Sequence, residues 1–497
     1  MADITTPLIT VYVANYNYER YVRQAIESVL NQTFTDFEMI IIDDGSTDGS
    51  REIISEYEGH PQVRIVFQKN KGLNRTNNVA VSLARGRYIM RLDADDYLDT
   101  HALLVMVGRM EAEPELGLVF PDYYYVDDDG RVLGQERRLD FREGVSLMDQ
   151  PAHGACTLIR TRVLKGLGGY CEAFSCQDCY DLWLKIIRKH QVANINLPLF
   201  YYRRHGANLT TKTRRIIETR AMIKSAFVES NGVEELKVLG VLPIRGRSVD
   251  PGCVALEPLG GKALLDWTLD AALASRHVDR VMVTTPDENV LNHVKARYGD
   301  RVLLLMRPME LAREFKDINE TIQLVLEQDV GFDPEAVFLL SEASPFRSKL
   351  YIDKAVNTLR IFPVDTVIGV AAENITAYRH DGHGLKLVGN DLDEENGMRF
   401  EDQYIYRQVY GTQLSSVKHF RQTGSCRGGR VGHIAFDPYD ATMVTNKIQL
   451  GIANYLLETH PELFHSRVQA PEAAAMGAAS INSSQPKGEH HADSQFS

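Results

Sequence analysis

The chain of 497 residues has no apolar run of the roughly 18 residues that a membrane-spanning helix needs, which predicts a protein dissolved in water and not threaded through a bilayer. Cysteine is sparse, six in all. No basic leader with a cleavage site opens the chain, so free thiols in the reducing cytoplasm are expected in place of a disulfide framework. Cys171, Cys176 and Cys179 form the one cluster, and no neighbour has obvious spacing for the fourth ligand of a tetrahedral zinc site. Positive charge is also short, with 55 Lys and Arg against 67 Asp and Glu and a formal net charge of −12. That balance argues against sequence-independent binding to nucleic acid, which depends on neutralising phosphates. The stretch from Arg203 to Lys224 is a basic exception. It reads as a solvated face, with contact to a diphosphate or an anionic lipid surface as the alternative.

The chain is too long for a single ordinary core, and two domains are the first expectation. Its first 200 residues alternate β-branched runs with helical patterns, as a parallel sheet with crossover helices does. LITVYVA and MIIID read as strands, and Val22, Ile26, Val29 and Leu30 fall at helical spacing between them. RYIMRLDADD reads as a third strand running into an acidic loop, which puts Asp93, Asp95 and Asp96 at the carboxyl end of a strand, where open α/β sheets bind ligands. Carboxylates at this spacing suit a ribose and a hard cation, Mg²⁺ or Mn²⁺. An acidic solvated turn is the other reading. Asp43 and Asp44 end the second strand, where an Asp can meet a nucleobase or ribose, or where Ser46 or Asp48 simply caps the next helix. Asp178 precedes a helix carrying Trp183 and Leu184, a position from which a base could take a proton from an acceptor hydroxyl. Asp181 is its rival, or a first-turn acid favoured by the helix dipole.

A charged helical pattern spans Thr210 to Asn231, after which KVLGVLPIRGR opens a fresh strand and a Gly-rich loop. VDRVMVTT, AVFLLS and DTVIGVA continue the alternation, so the second half reads as another α/β nucleotide-binding unit. The expected division is residues 1–228, 229–468 and a disordered tail at 469–497, whose small polar residues have no periodicity.

Several segments in order, VANYNYERYVRQAIESVLNQTFTDFEMIIIDDGSTDGS, NKGLNRTNNVAVSLARGRYIMRLDADD, CQDCYDLWLKI and YYRRHG, resemble the family 2 glycosyltransferases of the GT-A fold over about residues 5 to 210. The resemblance implies inversion at an anomeric carbon by direct displacement from a nucleotide sugar, usually UDP-linked, with Mg²⁺ or Mn²⁺ as cofactor. By position, Asn15, Asp43, Asp44, Asp93 and Asp96 would hold the nucleotide sugar, with Asp44 at the base and Asp93 at the ribose. Asp95 and His205 would meet the metal, and Asp178 would be the general base. His205 is otherwise a loop histidine bound to backbone. One departure stands in the first loop, where Val13-Ala14-Asn15 replaces the family's usual Pro-Thr or Pro-Ala.

The half from about Leu236 to Val468 resembles the acylneuraminate cytidylyltransferases, on LPIRGRSVDPG, LEPLGGKALLDWTLDAAL, VTTPDENV, RPMELA and ASPFRSKLYIDKAV. Both units would then be Rossmann-like, nucleotide-diphospho-sugar-transferase folds in tandem. Arg245, Gly246, Ser248, Lys262 and Arg347 remain as candidate nucleotide or phosphate contacts. The family's Gly-Lys-Asn is Gly252-Cys253-Val254 here, its amide-bearing Gln-Pro-Thr-Ser-Pro is Ser341-Glu342-Ala343-Ser344-Pro345, and its metal-holding Asp-Ile-Asp leaves only Asp437 and Asp440 nearby. These losses imply a pseudo-enzyme or a domain of altered specificity. The expected partners are a UDP-sugar donor and a glycan or lipid-linked acceptor of surface polysaccharide assembly, with peripheral attachment to the inner membrane and oligomerisation both compatible. A bifunctional enzyme that also makes a CMP-activated nonulosonic acid, and a non-catalytic assembly protein, are the alternatives.

Overall fold

The computed structural model describes residues 6–137, 149–174, 177–205, 213–373, 377–380, 382, 384–388 and 405–460, so the expected tail lies outside the described residues. The chain builds two mixed α/β sheets, as expected for tandem Rossmann-like units.

The first sheet contains β1 (Ile9–Asn15), β2 (Phe37–Asp43), β3 (Val63–Phe67), β4 (Tyr88–Asp93), β5 (Tyr97–Leu98), β6 (Leu116–Val126), β7 (Val132–Glu136), β8 (Leu158–Arg160) and β9 (Gln191–Arg203). Helices α1 (Val22–Leu30), α2 (Ser50–Ser55), α3 (Leu73–Leu83), α4 (Ala102–Ala112), α5 (Thr161–Gly166) and α6 (Asp178–Lys189) accompany it, and α7 (Thr213–Ser230) leads out of it. Its order is β3-β2-β1-β4-β8-β6-β9-β5, with β7 beside β6. The strands from β3 to β4 are parallel, and every residue of β1 and β2 is buried, which is why both read as largely apolar runs. The expected first crossover helix forms as α1, burying Val22, Ala25, Ile26 and Val29 on one face. RYIMRLD is the fourth strand and not the third. The strand missed, β3, lies at the sheet edge with no fully buried residue, so its apolar signal is weak.

The second sheet contains β10 (Val238–Pro243), β13 (Arg280–Thr285), β14 (Val302–Met306), β15 (Ala336–Leu339), β16 (Thr366–Glu373), β19 (Ile405–Ser416) and β20 (Val431–Ala435). Two small hairpins, β11 (Pro258–Leu259) with β12 (Lys262–Ala263) and β17 (Tyr378–His380) with β18 (Leu385–Leu387), stand apart from it. Helices α8 (Leu264–Leu273), α9 (Glu288–Tyr298), α10 (Ile318–Leu326), α11 (Lys349–Ile361), α12 (Val417–Thr423) and α13 (Lys447–Thr459) complete this half.

The order β14-β13-β10-β15 repeats the order β3-β2-β1-β4. In both sheets the strand order reverses beside the first strand of the unit, which leaves a crevice outside the carboxyl ends of β1 and β4, and again outside those of β10 and β15. The two halves also share a core. Phe362, just after α11, is buried in the same apolar cluster as Trp183 of α6 and Ile223 and Phe227 of α7.

Candidate active site

The register of the first sheet gathers the candidate acids. Asn15 pairs with Asp43 across β1 and β2, and Ala14 pairs with Asp93 across β1 and β4, so all of these side chains leave their strands at the same end.

Two of the acids build the cradle wall. The Asp43 carboxylate accepts from Asn15 Nδ2 at 3.0 Å, Ser46 N at 3.1 Å and Arg51 Nε at 2.7 Å. Burial opposes its charge, yet these donors hold its carboxyl below the usual carboxylate range. Asp44 accepts from the amides of Lys71 and Gly72, each at 2.8 Å, and from Gln68 Nε2 at 2.7 Å. It thereby fastens the loop before α3 to the end of β2. Gly45 follows at a φ of +83°, where a Cβ would stand 2.6 Å from Asn70 N, so the tight approach needs glycine. Asn15 Oδ1 is buried with no hydrogen-bond partner among the described residues.

The acidic loop after β4 sorts its carboxylates by their neighbours. Asp93 is clamped by Arg91, Nε to Oδ1 at 2.6 Å and Nη2 to Oδ2 at 2.9 Å. Burial works against ionisation of Asp93, but the guanidinium wins and lowers its carboxyl. Asp95 Oδ2 lies 3.0 Å from His205 Nε2, and that bond, against the opposing effect of burial, raises the imidazole above its ordinary range. Asp96 accepts the Arg203 amide through Oδ1 at 2.9 Å, while its Oδ2 is buried without a partner. Burial, then repulsion from Asp95 and Asp93, pushes Asp96 well above the carboxylate range. Such an uncompensated acid next to two charged ones is an environment that a divalent cation would relieve. The donors present for such an ion would be Asp95 and His205, a pair at 3.0 Å.

Three residues that sequence reasoning did not single out complete the site. Tyr18 and Tyr21 flank the imidazole of His205, with ring centroids at 5.9 and 5.8 Å. The Tyr18 hydroxyl faces the acids, and burial together with Asp95 and Asp93 raises it. Their repeated spacing in NYNYERY, just past β1, was the available signal. Arg203 is the third. It was expected on a solvated basic face, yet it is 2% exposed. Its guanidinium donates to the carbonyls of Asp95, Asp127 and Asp128, each at 2.9 Å, and to Gln24 Oε1 at 2.7 Å. The planar fork therefore ties the acidic loop to the turn after β6. Arg203→Lys is expected to lower folding stability by about 2–4 kcal/mol, because buried carbonyls lose donors at about 1–3 kcal/mol each. Chemical denaturation reads this as a lower midpoint at an unchanged m-value; an unchanged midpoint would show that lysine satisfies the same carbonyls.

Asp178 is the first residue of α6, and its side chain lies outside what the structure describes. Asp181 is buried and paired with Lys185 at 2.6 Å, a neighbour one turn along the same helix. Of the cysteine cluster, Cys176 is outside the described residues, Cys171 and Cys179 form no disulfide, and no group of three or more His, Cys, Asp and Glu placed to hold a metal ion is found among the described residues.

In the second crevice, the loop after β10 brings Arg245 and Gly246 to the ends of β13 and β15. Gly246 has a φ of +70°, and a Cβ there would meet Asp287 Cβ at 2.2 Å. Asp287 Oδ2 accepts the Arg247 amide at 2.7 Å and closes the loop, on which Ser248 is exposed. Glu342, after β15, lies among Arg245 and Arg307. Burial raises its carboxyl, with the two arginines acting the other way, and burial followed by Arg245 brings Arg307 down to about 10. Arg307 Nε is buried and unpartnered. The other candidates are engaged elsewhere. Lys262 pairs with Asp270 at 2.5 Å over the Trp267 ring, and Arg347 is buried, donating to Gly411 O and to Thr268 Oγ1 at 3.4 Å. Asp440 accepts from Tyr351 of α11 at 2.6 Å.

No helix among the described residues is long and apolar enough to cross a membrane. The family model "Glycosyl transferase family 2" matches residues 10–168, and the model "Cytidylyltransferase" matches residues 255–377. Chondroitin synthase of Escherichia coli is 32% identical over 207 residues, which is 41% of this chain and 30% of that protein. The chain thus spans under a third of the length of that relative. UDP-Glc:alpha-D-GlcNAc-diphosphoundecaprenol beta-1,3-glucosyltransferase WfaP of E. coli is 31% identical over 233 residues, covering 45% of this chain and 88% of its own. Among solved structures, S. aureus TarS residues 1–349 in complex with UDP-GlcNAc aligns over 44% of this chain and 66% of that one, at 18% identity and a TM-score of 0.37, too distant a likeness to bear on mechanism. With WfaP matched over nearly its whole length and the family model covering β1 through α5, the chain belongs to the family 2 glycosyltransferases.

Proposed function

We propose that the N-terminal half transfers a glycosyl group, with inversion, from a UDP-linked sugar to a hydroxyl of a glycan or lipid-linked acceptor. The observation that carries this reading is the acidic loop at the β1/β4 crevice, where Asp95 and His205 face each other at 3.0 Å beside the buried, unsatisfied Asp96. The donor would lie across the carboxyl ends of β1, β2 and β4, its base over Asn15 and Asp44 and its ribose toward Asp93. Asp178 takes the acceptor proton as the acceptor oxygen forms its bond to the anomeric carbon and the bond to the departing nucleoside diphosphate breaks. A divalent cation, when bound, stabilises the charge that develops on that diphosphate. Tyr18 and Tyr21 hold the His205 ring in place, and Arg203 keeps the loop from opening. WfaP, by its name a UDP-Glc-dependent enzyme acting on a diphosphoundecaprenol-linked sugar, supports a UDP donor and a lipid-linked acceptor. The test is a screen of UDP-, GDP- and CMP-sugars with the full chain, with and without Mn²⁺, scored by released nucleotide. UDP release is expected to dominate and to need the ion; release of GDP or CMP alone would overturn the donor assignment.

We further propose that the second half, from about residue 229, is a cytidylyltransferase fold without cytidylyltransferase activity. Glu342 supplies a carboxylate among Arg245 and Arg307, where a triphosphate would need those cations for itself. Cys253 is half-buried, and burial raises its thiol, so it brings no positive charge. Cys253→Lys combined with Glu342→Gln is expected to tighten CTP binding by about tenfold, the effect of about 1.4 kcal/mol from relieved charge repulsion, in calorimetric titration of the full chain. CMP-sugar formation from CTP by the unaltered protein would instead establish the bifunctional reading.

A further inference from the structure

The candidate base opens α6, and Gln177 before it and Tyr180 two residues after it both meet Arg220 of α7. Gln177, the residue before Asp178, sits in the left-handed region at a φ of +60°, a costly conformation for a residue with a Cβ. Arg220 of α7 donates to Gln177 Oε1 at 2.7 Å, and its guanidinium lies 5.0 Å from the ring centroid of Tyr180. Tyr180 is fully buried and donates its hydroxyl to Asp149. One turn along α7 from Arg220, Lys224 donates to the other oxygen of Asp149 at 2.8 Å. The same ammonium donates to Thr358 Oγ1 of α11, at 2.5 Å, and α11 belongs to the second half of the chain. Asn357 Nδ2 reaches Ser225 Oγ of α7 at 3.3 Å, and Lys224 lies 5.6 Å from the Phe362 ring centroid.

This cluster is an expensive way to join two domains. Lys224 is 0% exposed and Lys354 of α11 is 3% exposed, and both cations face the single carboxylate of Asp149. Burial, then Lys224, lowers the Lys354 ammonium to about 7. A buried ion pair of this kind adds little net stability compared with apolar packing of the same volume, and its directed bonds instead restrict geometry. The adjoining apolar cluster of Trp183, Ile223, Phe227 and Phe362 already supplies adhesion.

We propose that the second half acts as a brace for the glycosyltransferase base, with Thr358 fixing Lys224, and Lys224 and Arg220 fixing the Gln177-Asp178-Tyr180 turn at the start of α6. Arg220, Lys224 and Thr358 are positioning residues in this scheme. The scheme rests on the reading of Asp178 as the base.

The test uses the full chain carrying Thr358→Val, a change of equal shape that removes only the hydroxyl, alongside Lys224→Met. Hydrogen exchange in the α6 peptide is expected to speed up by about tenfold in Thr358→Val through easier local opening, while peptides from β1 and β2 exchange as in the unaltered protein. UDP affinity with Mn²⁺ should stay unchanged and UDP-sugar turnover should fall. Unaltered exchange in α6, or an equal rise across the whole first sheet, would overturn the brace. Lys224→Met leaves Asp149 buried without its cation, so a failure of that variant to fold is read against Thr358→Val, which keeps the ion pair. Absence of UDP binding by the unaltered protein would overturn the donor reading and leave the exchange result standing.

Discussion

Asp95→Asn is expected to cut Mn²⁺-dependent UDP release by about 10²–10³-fold, the usual consequence of removing one preorganised electrostatic contact to a developing charge. The loss follows from the charge balance of the acidic loop. Arg91 already neutralises Asp93 through two bonds, and Asp96 is driven toward its neutral form by burial and by its neighbours. Asp95 remains, with His205 Nε2 at 3.0 Å from its carboxylate. Asparagine keeps the shape and can still bond His205, so the melting temperature should change little. Chelation with EDTA should lower the activity of the unaltered protein to a similar level and have little further effect on the variant. Full activity of Asp95→Asn, with the same response to Mn²⁺, would remove Asp95 from the metal site.

Asp178→Asn is expected to reduce turnover by about 10²–10⁴-fold, the contribution of a positioned general base, with the affinity for UDP unchanged. The separation follows from the roles assigned, since a base acts on the acceptor hydroxyl and makes no donor contact. Single-turnover transfer from the donor identified by nucleotide release, together with UDP titration, measures the two quantities apart. An equal loss of UDP affinity and turnover would make Asp178 a structural residue. Asp181 is then a poor substitute, because it is buried and already bonded to Lys185. The search for a base would move to the other acids of the crevice.

Much of this architecture is written locally. The buried strands β1, β2 and β4 are recognisable because a strand covered on both faces is largely apolar, and the acids that end β2 and β4 stand out against such runs. Strand followed by acid, twice in 60 residues or so, was enough to place Asp43, Asp44, Asp93, Asp95 and Asp96 at one end of a parallel sheet. The same logic located the Gly-rich loop after β10. It also singled out Cys253 and Glu342, because their charge differs from that of the residues the cytidylyltransferase resemblance leads one to expect there. Edge strand β3 escaped because half-exposed residues carry no such contrast.

What the linear order could not decide is which charge meets which. His205 reaches Asp95 across 110 positions, Arg203 reaches the Asp95 carbonyl across 108, and Lys224 reaches Thr358 across 134. A basic stretch read along the chain looks like a solvated face, yet its two ends, Arg203 and Lys224, are among the most buried side chains of the molecule. The composition and order of residues determined the strands, the acids at their ends and the family to which the chain belongs. Sheet order, strand register and the packing of α7 against α11 alone determined which acids are neutralised and what holds the start of α6, because an ion pair's strength depends on distance and desolvation, and neither exists until the chain has folded.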